Sequence, residues 1–286
     1  MCRVLGVNRT SFHDWERRPP SDRALTDAWL TEKIKQIHKA NRGVYGAPRI
    51  HAELRLEHGI RVGRKRVARL MKAAGVAGVK QRKRWRTTIR VPGVEPATDL
   101  VDRDFRPAGP NVLWVADITY LRSGEGWLYL AAVQDTYSRQ IVGWSMATHM
   151  RTTLVVDALQ MALGRRRPGP GLIHHSDQGS QYVSLAFGRA ARQAGIALSM
   201  GSRGDAYDNA ACESCISTLK VEWIHRHRYE SRDQARLSIF RYIETFYNPR
   251  RRHSSLGGVS PDEYERRCPH RQEEESIDTI ETTRAA

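Results

Sequence analysis

The run Arg106-Pro107-Ala108-Gly109-Pro110 limits the folds open to this chain, because two prolines so close together can continue neither a helix nor a central strand. It divides 286 residues into two stretches of different periodicity, and that length is itself a prior for two domains of about 150 residues. Before the break the spacing is helical. Trp29, Ile34 and Ile37 share a face, Gly43-Val44-Tyr45-Gly46-Ala47-Pro48 interrupts it, residues 49–57 resume it, and Gly59-Ile60-Arg61-Val62-Gly63 turns into a further helix over 64–74. After the break, residues 112–120, 128–136 and 140–147 are β-branched and aromatic and lie at hairpin distances, which predicts three antiparallel strands. Helices are then expected over 152–163, 185–194, 208–224 and 231–246, with short strands over 172–175 and 196–200. Strands first and alternating helices and strands afterwards give an α/β mixed sheet flanked by helices, preceded by an all-α region.

Charge separates the same two stretches. The chain holds 47 Lys and Arg against 31 Asp and Glu, a net +16, and residues 1–91 alone hold 23 against 7. The remainder is balanced at 24 against 24. Clustered cations release counterions from phosphates, so the partner of the first stretch is expected to be a polyanion. An anionic membrane surface ranks lower, since no single long amphipathic helix carries the charge. No apolar run approaches the ~18 residues that span a bilayer, Met1-Cys2-Arg3-Val4 lacks an export signal, and four cysteines are too few for a disulfide framework, so a cytoplasmic protein is expected.

Helix, turn and basic helix is the order of a helix-turn-helix DNA reader. On the second helix Val67, Leu70 and Met71 face one way, and Arg64, Lys65, Arg66, Arg69 and Lys72 are the candidate DNA contacts. Residues 1–20 read as a partial helix-turn-helix, with Leu5-Gly6-Val7-Asn8 as its turn, or as a short helix packed on the bundle. The expected division is 21–90 for the basic DNA-binding domain, 91–104 for a linker, 105–268 for the α/β domain and 269–286 for an acidic, disordered tail.

Three acids stand where a solvated surface charge is not needed. Asp117 lies inside the first strand, Asp177 follows the strand end Ile173-His174-His175, and Glu213 lies one turn into a helix that Asp208-Asn209 can cap. Each alone has a bland reading, as turn chemistry or a helix-dipole partner. Together, a strand centre, a neighbouring strand end and a helix start can converge on one sheet edge. Converging carboxylates repel unless a cation lies between them, and a hard oxygen donor set suits Mg²⁺ or Mn²⁺. Two such ions serve phosphodiester chemistry, so a polyanion-binding domain joined to this site points to a nuclease or a DNA strand transferase.

The segments Trp114-Val115-Ala116-Asp117-Ile118-Thr119-Tyr120, His175-Ser176-Asp177-Gln178-Gly179-Ser180-Gln181-Tyr182 and Asp208-Asn209-Ala210-Ala211-Cys212-Glu213-Ser214 resemble the D, D, E core of bacterial insertion-sequence transposases related to retroviral integrases. The match is closest to the second reading frame of the insertion-sequence-three family. It includes the 35 residues between Asp177 and Glu213, the stretch Asp135-Thr136-Tyr137-Ser138-Arg139, and Tyr247-Asn248-Pro249-Arg250-Arg251-Arg252-His253-Ser254-Ser255-Leu256. The resemblance implies an RNase H-like fold and cleavage and joining of insertion-sequence ends. It further implies two Mg²⁺ or Mn²⁺ ions on Asp117, Asp177 and Glu213. The implied partners are DNA, as terminal inverted repeats and target, other copies of the chain on DNA, and the upstream-frame product; the implied location is the bacterial nucleoid.

The family's upstream helix-turn-helix and coiled coil are absent from this sequence, as is the cysteine-histidine zinc module of retroviral integrases. Cys212 and Cys215 flank Glu213, but a structural zinc needs four ligands, so small apolar packing is expected of both. Lys220 is the only lysine after Lys83. Two helical turns beyond Glu213, about 10.5 Å along the axis, it can reach the phosphate of DNA held at the acids. His174 and His175 alternate faces of their strand, so one is expected near the acids and the other in the core. A structure-specific nuclease with the same acids, or a DNA-binding regulator derived from a transposase, remains the alternative.

Overall fold

The computed structural model describes residues 3, 4, 6, 8–79, 99–101, 105, 107–177, 179–200 and 210–267, the side chains of 210–212 excepted. Most of the expected linker over 91–104, the tail over 269–286, the Asp208-Asn209 cap, and Cys2, Cys212 and Cys268 as side chains lie outside these residues. The chain forms two compact units, Met1–Val79 and Lys80–Ala286.

The first unit is helical: α1 (Arg9–Arg17), α2 (Asp22–Ala40), α3 (Ala47–Leu56) and α4 (Arg64–Ala73). Asn8 caps α1 by accepting from the Thr10 amide at 2.8 Å, and Ser21 caps α2 through the Ala24 amide. Leu30, Ile34 and Ile37 of α2, Ile50 and Leu54 of α3, and Val67, Leu70 and Met71 of α4 close one small core. α1 buries no residue.

The second unit is built on a five-stranded sheet in the order β3-β2-β1-β4-β5. β1 (Leu113–Ser123), β2 (Gly126–Asp135) and β3 (Ile141–Ala147) form an antiparallel meander, and β4 (Ile173–Ser176) and β5 (Ala197–Met200) run parallel to β1. The crossovers are α5 (Thr152–Arg166) and α6 (Leu185–Gln193), and α7 (Ala210–Glu222), α8 (Arg232–Tyr242) and α9 (Pro261–Arg267) follow. This is the mixed sheet with flanking helices expected of an RNase H-like fold. One face carries Trp114, Ala116, Ala131, Val133 and Val142 against Leu154, Val155, Ala158, Leu159 and Ala162 of α5. No helix among the described residues is long and apolar enough to cross a membrane.

α8 ends at Tyr242 and continues as a π-helical turn, Ile243–Tyr247, that buries Ile243, Phe246 and Tyr247. The wider turn matters to packing, because Asn248 just beyond it bonds both the amide and the carbonyl of Ile141 at 2.9 Å.

α5 lies so close to β3 that Gly143 admits no side chain: a Cβ there would fall on the Ala158 carbonyl oxygen and within 2.7 Å of Ala162 Cβ. Gly143→Ala is therefore expected to destabilise the fold by about 1–3 kcal/mol through overpacking, read as a lower urea midpoint with unchanged slope. An unchanged midpoint would show that α5 retreats from β3 at no cost.

Candidate active site

Parallel pairing fixes the first two acids relative to each other. Ala116 pairs with Ser176 in the last step of the β1–β4 ladder, so Asp117 and Asp177 are the next residues along two adjacent strands. Both are half-buried. The Ile118 amide donates to Asp117 Oδ1 at 2.7 Å and the Gly179 amide to Asp177 Oδ1 at 3.1 Å. Gly179 has a steric reason as well, since a Cβ on it would press to 2.9 Å from Asp177 Oδ1. Glu213 is exposed in the first turn of α7, which packs on β1.

The electrostatics join these positions. Burial first, and then the neighbouring Asp177 carboxylate, push Asp117 up to about 7; Glu213 adds to the rise, while the Ile118 amide and the Lys220 ammonium oppose it. Asp177 is also raised, again by burial. The structure thus brings Asp177, Glu213 and Lys220 near enough to act on Asp117. Among the described residues no group of three or more acids, imidazoles or thiols is close enough, as placed, to grip a metal ion. The donor set nevertheless fits a hard divalent cation. It is all oxygen, and Asp117, raised first by burial and then by the Asp177 carboxylate, is a group that a bound cation would favour in its ionised form.

Other expected positions fall into place differently. His174 and His175 are both buried. His174 sits against the rings of Tyr182 and Phe187, where burial lowers its pKa to about 4 and keeps it neutral. His175 Nδ1 meets Ser199 Oγ at 2.9 Å and its ring packs edge-on to Phe105, so it ties β4 to β5 and to the strap before β1. Cys215 is buried and its thiol, pushed up to about 11 by burial, accepts a hydrogen bond from the Tyr247 hydroxyl at 3.6 Å. Cys215 therefore packs as expected.

On α4, Arg64, Lys65, Arg69 and Lys72 are exposed and Arg66 is half-buried. Two of these five are already engaged: Arg69 Nη2 donates to Asp27 Oδ2 at 2.6 Å and Arg66 Nε to Asp27 Oδ1 at 2.7 Å. Their hydrogen bonds hold the Asp27 carboxyl below its ordinary range.

The buried ion pairs behind the acids were not foreseen from local pattern. Glu222, at the end of α7, accepts from Arg251 Nε and Nη2 at 2.7 Å each and from the Tyr242 hydroxyl at 3.1 Å. Burial raises Asp135, which accepts from the Asn111 and Tyr137 amides and from Arg166, and Arg166 in turn grips Glu265 with two bonds of 2.7 and 2.8 Å. The available signal was an acid set between two apolar residues at a helix end, Val221-Glu222-Trp223, followed later by an arginine run. In sequence such a run reads as a solvated basic patch.

Asp117, Asp177, Glu213 and Lys220 fall within segments that match known families. Residues 107–206 match the family model described as integrase core domain, residues 194–261 a second model of the same description, and residues 24–84 an HTH-like domain. The chain is 42% identical over 271 residues to the transposase for insertion sequence element IS629 of Shigella sonnei, covering 93% of this chain and 90% of that protein. It is 40% identical over 267 residues to transposase InsF for insertion sequence IS3A of Escherichia coli strain K12, covering 93% and 92%. An insertion element IS600 uncharacterized 31 kDa protein of Shigella sonnei is 44% identical over 261 residues, covering 91% and 96%.

Proposed function

The chain belongs to the IS3 family of insertion-sequence transposases, and from that premise we propose that Asp117, Asp177 and Glu213 are the acids with which it cuts and joins DNA. It is a DNA transposase, a polynucleotidyl transferase with an integrase core and a helix-turn-helix-like region. What supports the assignment of the acids is the ladder register that sets Asp117 and Asp177 side by side on adjacent strands, with Glu213 and Lys220 near enough to act on Asp117.

The three carboxylates would hold divalent metal, Mg²⁺ or Mn²⁺ and two ions in number, which supplies activation of the attacking oxygen and stabilisation of the leaving one. The chain's own contribution is rigidity and placement. Asp117 is fixed on a strand hydrogen-bonded on both sides, and the Ile118 amide restrains its carboxylate. Asp177 is set by ladder register and Glu213 by the packing of α7. Water attacks the phosphodiester at an element end, and the freed 3′ hydroxyl then attacks a target phosphate in line. No covalent protein intermediate is required. Lys220 holds a DNA phosphate beside the acids, and Arg64, Lys65 and Lys72 hold the terminal inverted repeats, with Arg66 and Arg69 restrained beside them by Asp27. Two ends and a target call for several copies on the DNA, with the upstream-frame product as a further partner, in the cytoplasm where the nucleoid lies.

The test is incubation of the protein with labelled element-end DNA and Mn²⁺, with nicked and joined products resolved on a gel. Joined products support the transposase reading at these acids. Cutting of branched DNA without joining would favour a nuclease, and end binding that survives mutation of all three acids with no cutting by wild type would favour a regulator.

Two further outcomes are expected. Lys220→Ala should reduce end cleavage and joining at unchanged Mn²⁺ affinity, and Lys220→Arg should recover part of the activity, since the charge remains with different geometry. Wild-type joining by Lys220→Ala would return the residue to an ordinary helix face. In the full chain, replacing Arg64, Lys65 and Lys72 together by Ala should flatten the salt dependence of end binding by about 0.9 in log–log slope per lost phosphate contact. An unchanged slope would place the DNA elsewhere.

A further inference from the structure

β1 and β2 extend beyond the rest of the sheet. β4 leaves β1 after Ala116, and β3 pairs with β2 only as far out as Tyr129. The projecting hairpin carries Tyr120 opposite Tyr129 and Arg122 opposite Trp127, and the two-residue period puts all four side chains on one face. Further in, that face is covered by α5. Here it is open: Tyr120 is 56% exposed and Trp127 47%. The rings still pack on one another, Tyr120 edge-on to Trp127 at 5.2 Å and tilted against Tyr129 at 6.5 Å.

Cations border this patch. Lys220 Nζ lies 5.3 Å from the Tyr120 ring centre and the Arg122 guanidinium 6.0 Å from that of Trp127, while Arg232 donates to the Trp127 carbonyl. Glu125 lies at the hairpin turn, where it accepts from the Arg232 amide. The same Lys220 acts on Asp117, so the aromatic patch and the acids lie within reach of one lysine.

We propose that Tyr120, Trp127 and Tyr129, with Lys220 and Arg122, form a platform that holds an unpaired nucleobase of the DNA strand being cut. The inference rests on the transposase reading of the neighbouring acids and adds a binding subsite to it. Exposed rings offer flat faces to a base of any sequence, and the bordering ammonium and guanidinium groups match the phosphates on either side of it. Tyr120 lies three residues beyond Asp117 on β1, about 10 Å by strand rise and on the alternate face, and Lys220 borders both, so a base next to a phosphate at the acids lies within reach of this hairpin. Duplex DNA keeps its base faces stacked inward, so the platform serves a base released from its pair.

The test uses duplexes carrying one end of the element that encodes this chain, each with a single 5-iodouracil at a position next to the cleavage site, a probe that photo-crosslinks to stacked aromatic side chains. With Asp117→Asn protein, which leaves the DNA uncut, the crosslink is expected on Tyr120 or Trp127. Tyr120→Ala and Trp127→Ala should each lose it and, in otherwise wild-type protein, cleave about tenfold more slowly, whereas Tyr120→Phe should keep both properties because the ring face remains. Crosslinks confined to other residues, or undiminished in the Ala variants, overturn the platform. So does a change of oligomeric state in the Ala variants with crosslinking intact, which would mark the patch as a contact between copies. Failure of the underlying reading shows separately, as DNA that crosslinks to Tyr120 or Trp127 yet is never cut by wild-type protein.

Discussion

Asp117→Asn is expected to abolish cleavage and joining, a loss of more than a thousandfold, while making the metal-free protein more stable at neutral pH. The two effects have one cause. In the folded chain Asp117 is raised from 3.8 to about 7, chiefly by burial and then by Asp177. The folded state therefore holds that proton more tightly than the unfolded state, and its contribution to stability declines as pH rises from about 4 to about 7. At 1.36 kcal/mol per pKa unit the ionised carboxylate costs up to about 4 kcal/mol, which the amide does not. Urea midpoints in a chelator should fall across that pH window in wild type and stay flatter in Asp117→Asn; added Mn²⁺ should stabilise wild type more than the variant. Asp177→Asn and Glu213→Gln should lose activity to the same extent. Activity within tenfold of wild type in any one of the three would falsify the triad.

The second large effect concerns the pair behind the site. Arg251→Met is expected to destabilise the catalytic unit by about 3–5 kcal/mol, because it leaves Glu222 buried without its cation. The double variant Arg251→Met with Glu222→Leu should recover most of that loss, since removing both charges also removes the need for compensation. Chemical denaturation of the four proteins forms the cycle. If the double variant is no more stable than the single, packing by the guanidinium against Tyr247, 5.5 Å from the ring centre, matters more than its charge.

What the sequence made legible followed from local pattern. β-branched and aromatic runs at hairpin distances predicted the meander to within a few residues, and the placement of Asp117 and Asp177 on adjacent strands was open to anyone who read the fourth expected strand as parallel to the first. Lys220 stood out through its rarity and its place two helical turns beyond Glu213. The buried pairs were illegible because their partners, Glu222 with Arg251 and Asp135 with Arg166, are 29 and 31 residues apart and obey no periodicity. The Asp27 clamp on Arg66 and Arg69 was hidden for the same reason, and it means that charge counted along α4 overstates what a phosphate meets. The π-helical turn after α8 left no local signal either, since its residues Ile243-Glu244-Thr245-Phe246-Tyr247 suit an ordinary helix.

The Glu222–Arg251 pair also carries information about order in time. A ribosome makes the chain from its amino end, so the four helices of the first unit emerge early and α7, with Glu213 and Lys220, much later. When α7 has just been completed, the arginine that neutralises Glu222 is still 29 residues away from synthesis. Until it arrives, the helix bearing the third acid has a charged side chain with nowhere to be buried. A chain ended ahead of Arg251 is therefore expected to form the four-helix unit while leaving Glu222 without the guanidinium that lets α7 pack.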